Sequence, residues 1–284
     1  MTDALPPLRD VIAKYDLRAK KSFGQNFLLD LNLTGRIARV PGDISDATIY
    51  EVGPGPGGLT RALLTQGAKK VVAVEMDPRC MEPLKDVSAA FDNRLTVYNC
   101  DALDVDETAI LSLKDTHKAH IVSNLPYNVG TQLLIKWLTY DTWLPWFSSL
   151  TLMFQKEVAE RLVAKPNTKA YGRLSVLTQW RGKVRIAFTV PPQAFTPQPK
   201  VTSAVIHYKP TEPMDPSVRL ADLEKIVAKA FNQRRKMLRA SLKGLDVDPK
   251  SLLEAANLEE TKRAEDITVE EFVRLAKVYR ELKS

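Results

Sequence analysis

The chain is 284 residues long, 44% hydrophobic and 26% charged, with 41 basic against 34 acidic residues. These proportions exclude a disordered chain, a collagen-like chain and a small cross-linked scaffold, and the length suffices to bury a core without metals. No apolar run approaches the ~20 residues that cross a bilayer, and no basic stretch followed by an apolar core opens the chain, so a cytoplasmic protein without a membrane partner is expected.

Leu8, Val11, Ile12 and Tyr15 recur at helical spacing, as do Leu29, Leu33, Ile37 and Val40, on either side of the loop SFGQNF. An alternation follows. Strands are predicted at 47–52, 70–75, 94–99, 119–124 and 148–155, with helical stretches after most of them, and two later strands are predicted in VRIAFTV and SAVIHYK. Strands alternating with helices imply a parallel sheet covered on both faces. The Pro-rich PTEPMDPS breaks the pattern after Lys209, and the rest reads as helix, with Thr268 and Glu271 forming a capping box. Cys80 and Cys100 form no C-x-x-C pair and have no nearby His, so two reduced thiols and no metal site are expected.

Charge is unevenly spread. Residues 40–122 carry net −5 and residues 123–210 net +8, within a total of +7. A concentrated positive stretch suits a polyanionic partner.

Gly53-Pro-Gly55-Pro-Gly57-Gly58 lies where the first long strand passes into a helix. Glycines there allow a sharp turn and a close ligand approach. Gly53, Gly55 and Gly58 satisfy G-x-G-x-x-G, and Glu75 ends the next strand where a ribose-binding acid is expected. A dinucleotide and S-adenosylmethionine (SAM) both fit this much. Three features favour SAM. Glu51 precedes the glycines and suits a cationic ligand better than a pyrophosphate; Asp101 ends the third strand and can accept from an adenine amine; and the region is net acidic.

Asn124-Leu125-Pro126-Tyr127 follows the fourth strand, at the carboxyl edge where open α/β sheets bind ligands. Beside a SAM loop these residues suit amine methylation. An exocyclic adenine amine is a poor nucleophile because its lone pair is delocalised into the ring. The Asn124 side-chain oxygen and the Leu125 carbonyl can engage its two hydrogens and aim the lone pair. Pro126 fixes the backbone, and Tyr127 offers a face to stack an extruded base.

The motifs FGQNFL, EVGPGPGGLT, VEMD, NCDAL, NLPYN, FQKEVAERLVA, YGRLSVLTQ, VPPQAFTPQPKVTSAV and FNQRRKMLRASL together resemble the small-subunit ribosomal RNA adenine dimethyltransferases, the kasugamycin-sensitivity family, over almost the whole chain. The relatives acting on large-subunit RNA share the catalytic core, but the FNQRRKMLRASL segment favours the small-subunit branch. The resemblance implies a seven-stranded, Rossmann-like SAM-dependent methyltransferase sheet with a small all-α C-terminal domain. The boundaries expected are 1–209 for the catalytic domain, with 1–40 as an arm or lid, and 210–284 for an rRNA-binding domain.

The reaction so implied is dimethylation of two adjacent adenosines near the 3′ end of small-subunit rRNA. The resemblance also implies cofactor roles for Asn26, Leu28, Gly53, Glu75, Asp101 and Asn124, and a second stacking face at Phe195 opposite Tyr127. The small ribosomal subunit and its rRNA are the expected partners of a monomer. Lys156, Arg161, Arg173 and Lys200 form one candidate RNA-binding set, and Arg234, Arg235, Lys236 and Arg239 a second on one helix. Lys20 and Lys21 of the arm could reach phosphate, and residues 1–25 are expected to be poorly ordered without ligand. The competing readings are a large-subunit rRNA adenine methyltransferase, an NAD-type oxidoreductase and a non-catalytic assembly factor.

Overall fold

In a computed structural model, residues 5–17, 25–111, 119–140 and 143–283 are described. They divide into two compact units. The first comprises Met1–Trp137, Pro145–Lys156 and Arg185–Lys209, and the second Leu138–Leu144, Glu157–Val184 and Pro210–Ser284.

The first unit is built on a seven-stranded sheet. Its strands are β2 (Thr48–Val52), β3 (Lys70–Val74), β4 (Leu95–Tyr98), β5 (Ala119–Ser123), β6 (Ser149–Gln155), β7 (Gly182–Val190) and β9 (Ser203–Pro210), in the spatial order β4-β3-β2-β5-β6-β9-β7. All seven coincide with strands expected from the sequence. Strand β2 pairs parallel with β3 on one side and with β5 on the other, whereas β9 inserts antiparallel beside β6, from Leu150↔Tyr208 to Gln155↔Ser203. The chain thus winds outward from β2 to β4 and then restarts at β5. That reversal leaves a crevice at the carboxyl ends of β2 and β5, where a ligand can enter.

Burial explains the strands. Val71, Val72, Ala73 and Val74 are all at most 1% exposed, as a strand covered on both faces requires. The helices along this stretch are α1 (Leu8–Lys14), α2 (Leu31–Ala38), α3 (Gly58–Thr65), α4 (Met81–Ala90), α5 (Glu107–Leu111) and α6 (Gly130–Leu138), of which α2, α3 and α4 supply Ile37, Leu63, Leu84 and Val87 to the same core. Asp30 caps α2 by accepting from the Asn32 and Leu33 amides.

A second, two-stranded sheet was not legible in the sequence. Strand β1 (Phe27–Leu28) pairs antiparallel with β8 (Phe195–Thr196), with Leu28 opposite Phe195. Two-residue strands carry too little alternation to be read as strands. The arm is held by other bonds as well. Arg61 Nη1 donates to the Pro6 carbonyl at 2.7 Å, and Gln25 Nε2 donates to Asp77 Oδ2 at 3.2 Å. Residues 1–4 and 18–24, which include Lys20, Lys21 and much of the expected lid, lie outside the described residues.

The second unit is helical: α7 (Lys156–Val163), α8 (Arg173–Trp180), α9 (Leu220–Asn232), α10 (Leu238–Ser241), α11 (Pro249–Ala255) and α12 (Val269–Lys283). The compact unit does not begin at residue 210. Ala164, Tyr171, Val176 and Trp180 share one buried cluster with Leu223, Phe272 and Tyr279, so residues 157–184 belong with the C-terminal helices. The Tyr171 hydroxyl donates to the Ile267 carbonyl at 2.8 Å, fastening the two stretches. The capping box of α12 forms as expected, with the Thr268 amide bonded to Glu271 at 2.8 Å and the Glu271 amide to Thr268 at 3.1 Å.

Candidate active site

The glycine turn between β2 and α3 determines the shape of the crevice. Gly53, Gly55 and Gly57 take φ values of +67°, +55° and +89°, which non-glycine residues seldom adopt. The loop is also closely covered. A Cβ at Gly55 would lie 2.9 Å from the Phe27 ring, and one at Gly58 would lie 2.7 Å from the Leu28 carbonyl oxygen. Strand β1 therefore seats directly on the loop because the loop has no side chains there.

Glu75, buried at the end of β3, braces this turn. Its Oε2 accepts the Gly55 amide at 2.9 Å and its Oε1 the Asp77 amide at 2.8 Å. Burial pushes its carboxyl up, and the two amides oppose that shift. Glu51, at the end of β2, is 1% exposed and accepts from Thr60 Oγ1 at 2.7 Å. Burial pushes Glu51 up to about 8; the Thr60 bond lowers it and the nearby Glu75 carboxylate raises it further. Such a group is set to ionise when a cation arrives beside it.

Asp101 accepts the Leu103 amide through Oδ1 at 2.9 Å. It lines one continuous cavity with Asn26, Leu28, Gly53, Glu75 and Asn124. Every candidate cofactor residue read from the sequence thus borders the same space. Met76 and Cys100 also border it. Met76 is 54% exposed, and sequence reading missed it because a methionine after a strand carries no signal of its own.

At the end of β5 the chain turns through Asn124-Leu125-Pro126-Tyr127. Asn124 Nδ2 donates to the Asn26 carbonyl at 3.1 Å. This bond orients the carboxamide and leaves Oδ1 as its acceptor. Among the described residues, neither Asn124 Oδ1 nor the Leu125 carbonyl accepts a hydrogen bond. Pro126 packs towards the glycine turn, its Cδ 3.5 Å from where a Gly53 Cβ would stand. The Tyr127 hydroxyl meets Ser203 Oγ at 2.5 Å, which fixes the ring. Nothing in the sequence links Ser203 to Tyr127, since they are 76 residues apart and meet only across the sheet.

Tyr127 borders the cavity and Phe195 does not. Phe195 is 2% exposed and packed in the core, where β8 pairs with β1. Burying a full phenyl ring outweighs leaving it for a ligand, so in this conformation it anchors the strand pair.

Two further sequence expectations change. Arg234, Arg235, Lys236 and Arg239 do not share a helix: the first three lie in the turn after α9, and Arg239 lies in the short α10. Arg234 closes that turn, donating to Glu265 at 2.8 Å and to the Lys169 and Thr168 carbonyls at 2.9 and 3.2 Å. Arg239 pairs with Glu260 at 3.3 Å and Arg161 with Glu157. Lys156, Arg173, Lys200, Arg235 and Lys236 are exposed.

Known proteins resemble this chain over nearly its full length. The ribosomal RNA adenine dimethylase family profile matches residues 16–281. Ribosomal RNA small subunit methyltransferase A of Dinoroseobacter shibae is 60% identical over 97% of this chain and 97% of its own length. The protein of the same name from Xanthobacter autotrophicus is 59% identical over 99% and 96%. Among solved structures, a dimethyladenosine transferase from Plasmodium falciparum superposes with a TM-score of 0.74 at 25% identity, covering 88% of this chain and 95% of that one. The 23S rRNA methyltransferase ErmE gives 0.67 at 25% identity over 91% and 100%. With the profile covering nearly the full length and the site built as the motifs require, the chain belongs to the ribosomal RNA adenine dimethylase family.

Proposed function

We propose that this protein uses SAM to dimethylate the N6 amines of two adjacent adenosines near the 3′ end of small-subunit rRNA. The observation that carries the reading is the pair of free acceptors, Asn124 Oδ1 and the Leu125 carbonyl, on the wall of the cavity that also holds the glycine turn, Glu75 and Asp101.

The residues fit the cofactor. The glycine turn gives a side-chain-free bed, Glu51 offers a buried carboxyl to a cationic amino-acid part, Glu75 has lone pairs left for ribose hydroxyls, and Asp101 keeps Oδ2 for an adenine amine. Asn26 and Leu28 close the bed from the arm. When bound, SAM supplies an electrophilic methyl carried on a sulfonium.

The chain's own residues prepare the amine. Asn124 Oδ1 and the Leu125 carbonyl accept its two N–H groups, which draws the nitrogen away from planarity and directs its lone pair into the cavity. Fixed acceptors cost no reorganisation during the reaction. Pro126 holds the Leu125 carbonyl in direction. Tyr127, braced by Ser203, stacks the base once it leaves its helix. Lys156, Arg173, Lys200, Arg235 and Lys236 supply charge for rRNA phosphates.

The test is transfer of labelled methyl from SAM to small subunits purified unmethylated, followed by nucleoside analysis. N6,N6-dimethyladenosine at two neighbouring positions is expected. Label at another base, or on large-subunit RNA alone, would refute the reading.

A further inference from the structure

Several cations of the second unit are paired within it. Arg219 pairs with Asp222, Lys225 with Asp246, Arg234 with Glu265, Lys262 with Glu271 and Lys277 with Asp215. The first unit carries a group that is not. Arg36 on α2, Arg39 at its C-cap, Arg185 on β7 and Lys209 on β9 are all exposed, and among the described residues none has an acidic partner.

These residues share a neighbourhood. The Arg36 guanidinium carbon stands 3.8 Å from the centre of the Phe188 ring on β7. Ile37 and Ala38 of α2 lie in the same buried cluster as Val190 of β7 and Val205 of β9, with Phe188 packed against it. Arg185 and Lys209 both act on the buried His207 of β9. Strands β7 and β9 are neighbours, and β7 is the outermost strand of the sheet. Helix α2 begins three residues after Leu28, which lines the cavity, and Arg36 is about 7.5 Å further along the helix axis from Leu31.

We propose that α2 and the edge strand β7 form a phosphate-binding face for the RNA substrate, centred on Arg36 and Arg185 and leading to the cavity mouth. Unpaired cations on neighbouring elements repel one another, and a polyanion relieves that repulsion. Stacking on Phe188 holds the Arg36 guanidinium flat with its N–H edge outward, the geometry that meets a phosphate with paired donors. Arg39 and Lys209 add to the positive charge of these elements. The partner class rests on the proposed function; the location of the face does not.

The test measures binding of the full-length protein to an unmethylated transcript of the small-subunit rRNA 3′ domain over a range of salt. For Arg36→Gln with Arg185→Gln, affinity should fall roughly tenfold or more at 0.1 M salt, and the slope of log K against log salt should flatten by about 0.7–0.9 per lost contact. Phe188→Leu should weaken binding less and leave the slope nearly intact. Lys85→Gln with Lys277→Gln removes two exposed cations that are already paired, at 2.6 and 3.0 Å, and should leave the slope unchanged. An unchanged slope in the Arg36/Arg185 variant overturns the proposal, and if that variant also aggregates the cations belong to protection of the sheet edge. An equal loss in the Lys85/Lys277 control overturns it too, by assigning the effect to total charge. SAM binding by calorimetry should match wild type throughout. Failure of wild-type protein to methylate the subunit would refute the functional reading while leaving the salt comparison between variants valid.

Discussion

Asn124 at the end of β5 donates to the backbone carbonyl of Asn26, 98 residues earlier, at 3.1 Å. One bond therefore joins the residue proposed to engage the target amine to the arm beside the glycine turn. It spends the donor of the carboxamide on the arm and leaves its acceptor free.

Asn124→Ala removes both ends of this link. Turnover should fall at least ~10²-fold, the scale lost with one fixed polar group at a reacting centre, while SAM affinity falls only a few-fold. Single-turnover methylation and calorimetry separate the two, and loss of SAM binding equal to the loss of rate would rule out a role in orienting the amine.

Gly58→Ala addresses the close seat of β1. The new Cβ would stand 2.7 Å from the Leu28 carbonyl oxygen, a backbone atom that cannot rotate away. Displacing β1 should cost about 1–3 kcal/mol of stability and weaken SAM binding at least tenfold. Thermal melting with and without SAM reads both; wild-type behaviour would mean that β1 does not sit on the loop in solution.

Glu51 should give the free protein a distinctive pH dependence. Its folded value of about 8 lies above the ordinary 4.5, so the folded state binds the proton more tightly. Between about pH 4.5 and 8 the unfolded chain holds fewer protons, and the Glu51 contribution to stability falls as pH rises. Glu51→Gln should lose that slope. A cationic ligand reverses the preference, so SAM binding near pH 7 should release protons, visible as a buffer-dependent calorimetric enthalpy in wild type and absent in Glu51→Gln.

His207 acts in a different window. Burial, with Arg185, Lys209 and His120 adding repulsion, lowers it from 6.5 to about 4. Between those values the unfolded chain is protonated and the folded state is not, so stability is present above pH 6.5 and is lost as pH falls towards 4. His207→Asn should flatten the acid limb of a melting-temperature profile, whereas an acid limb as steep as wild type would place the loss in the carboxylates alone.

Arg234 should behave as a structural residue. Its three bonds close the turn after α9, so Arg234→Ala should cost about 1–3 kcal/mol. Arg235→Ala with Lys236→Ala should leave stability unchanged and weaken RNA binding. Denaturant unfolding separates them, and equal stabilities would return Arg234 to the phosphate contacts.

The seven strands, the glycine turn and the tetrapeptide from Asn124 to Tyr127 were legible in the chain because each is a local pattern. Apolar runs such as VVAV make strands wherever both faces are covered, and Gly53, Gly55 and Gly57 are required by the backbone at their own positions. Residues whose roles are met at short range, such as the Thr268 and Glu271 cap, were legible for the same reason. Roles that depend on distant partners were set by packing. Phe195 went to the core because β8 found β1, and Arg234 turned inward because Glu265 and two carbonyls lay within reach. Residues 157–184 joined the helical unit because Tyr171 and Trp180 bury against α9 and α12. A cation's type is written in the chain, but whether it is free for phosphate depends on which acids the fold brings beside it. Arg36 and Arg185 are unpaired because, among the described residues, the fold brings no acid beside them.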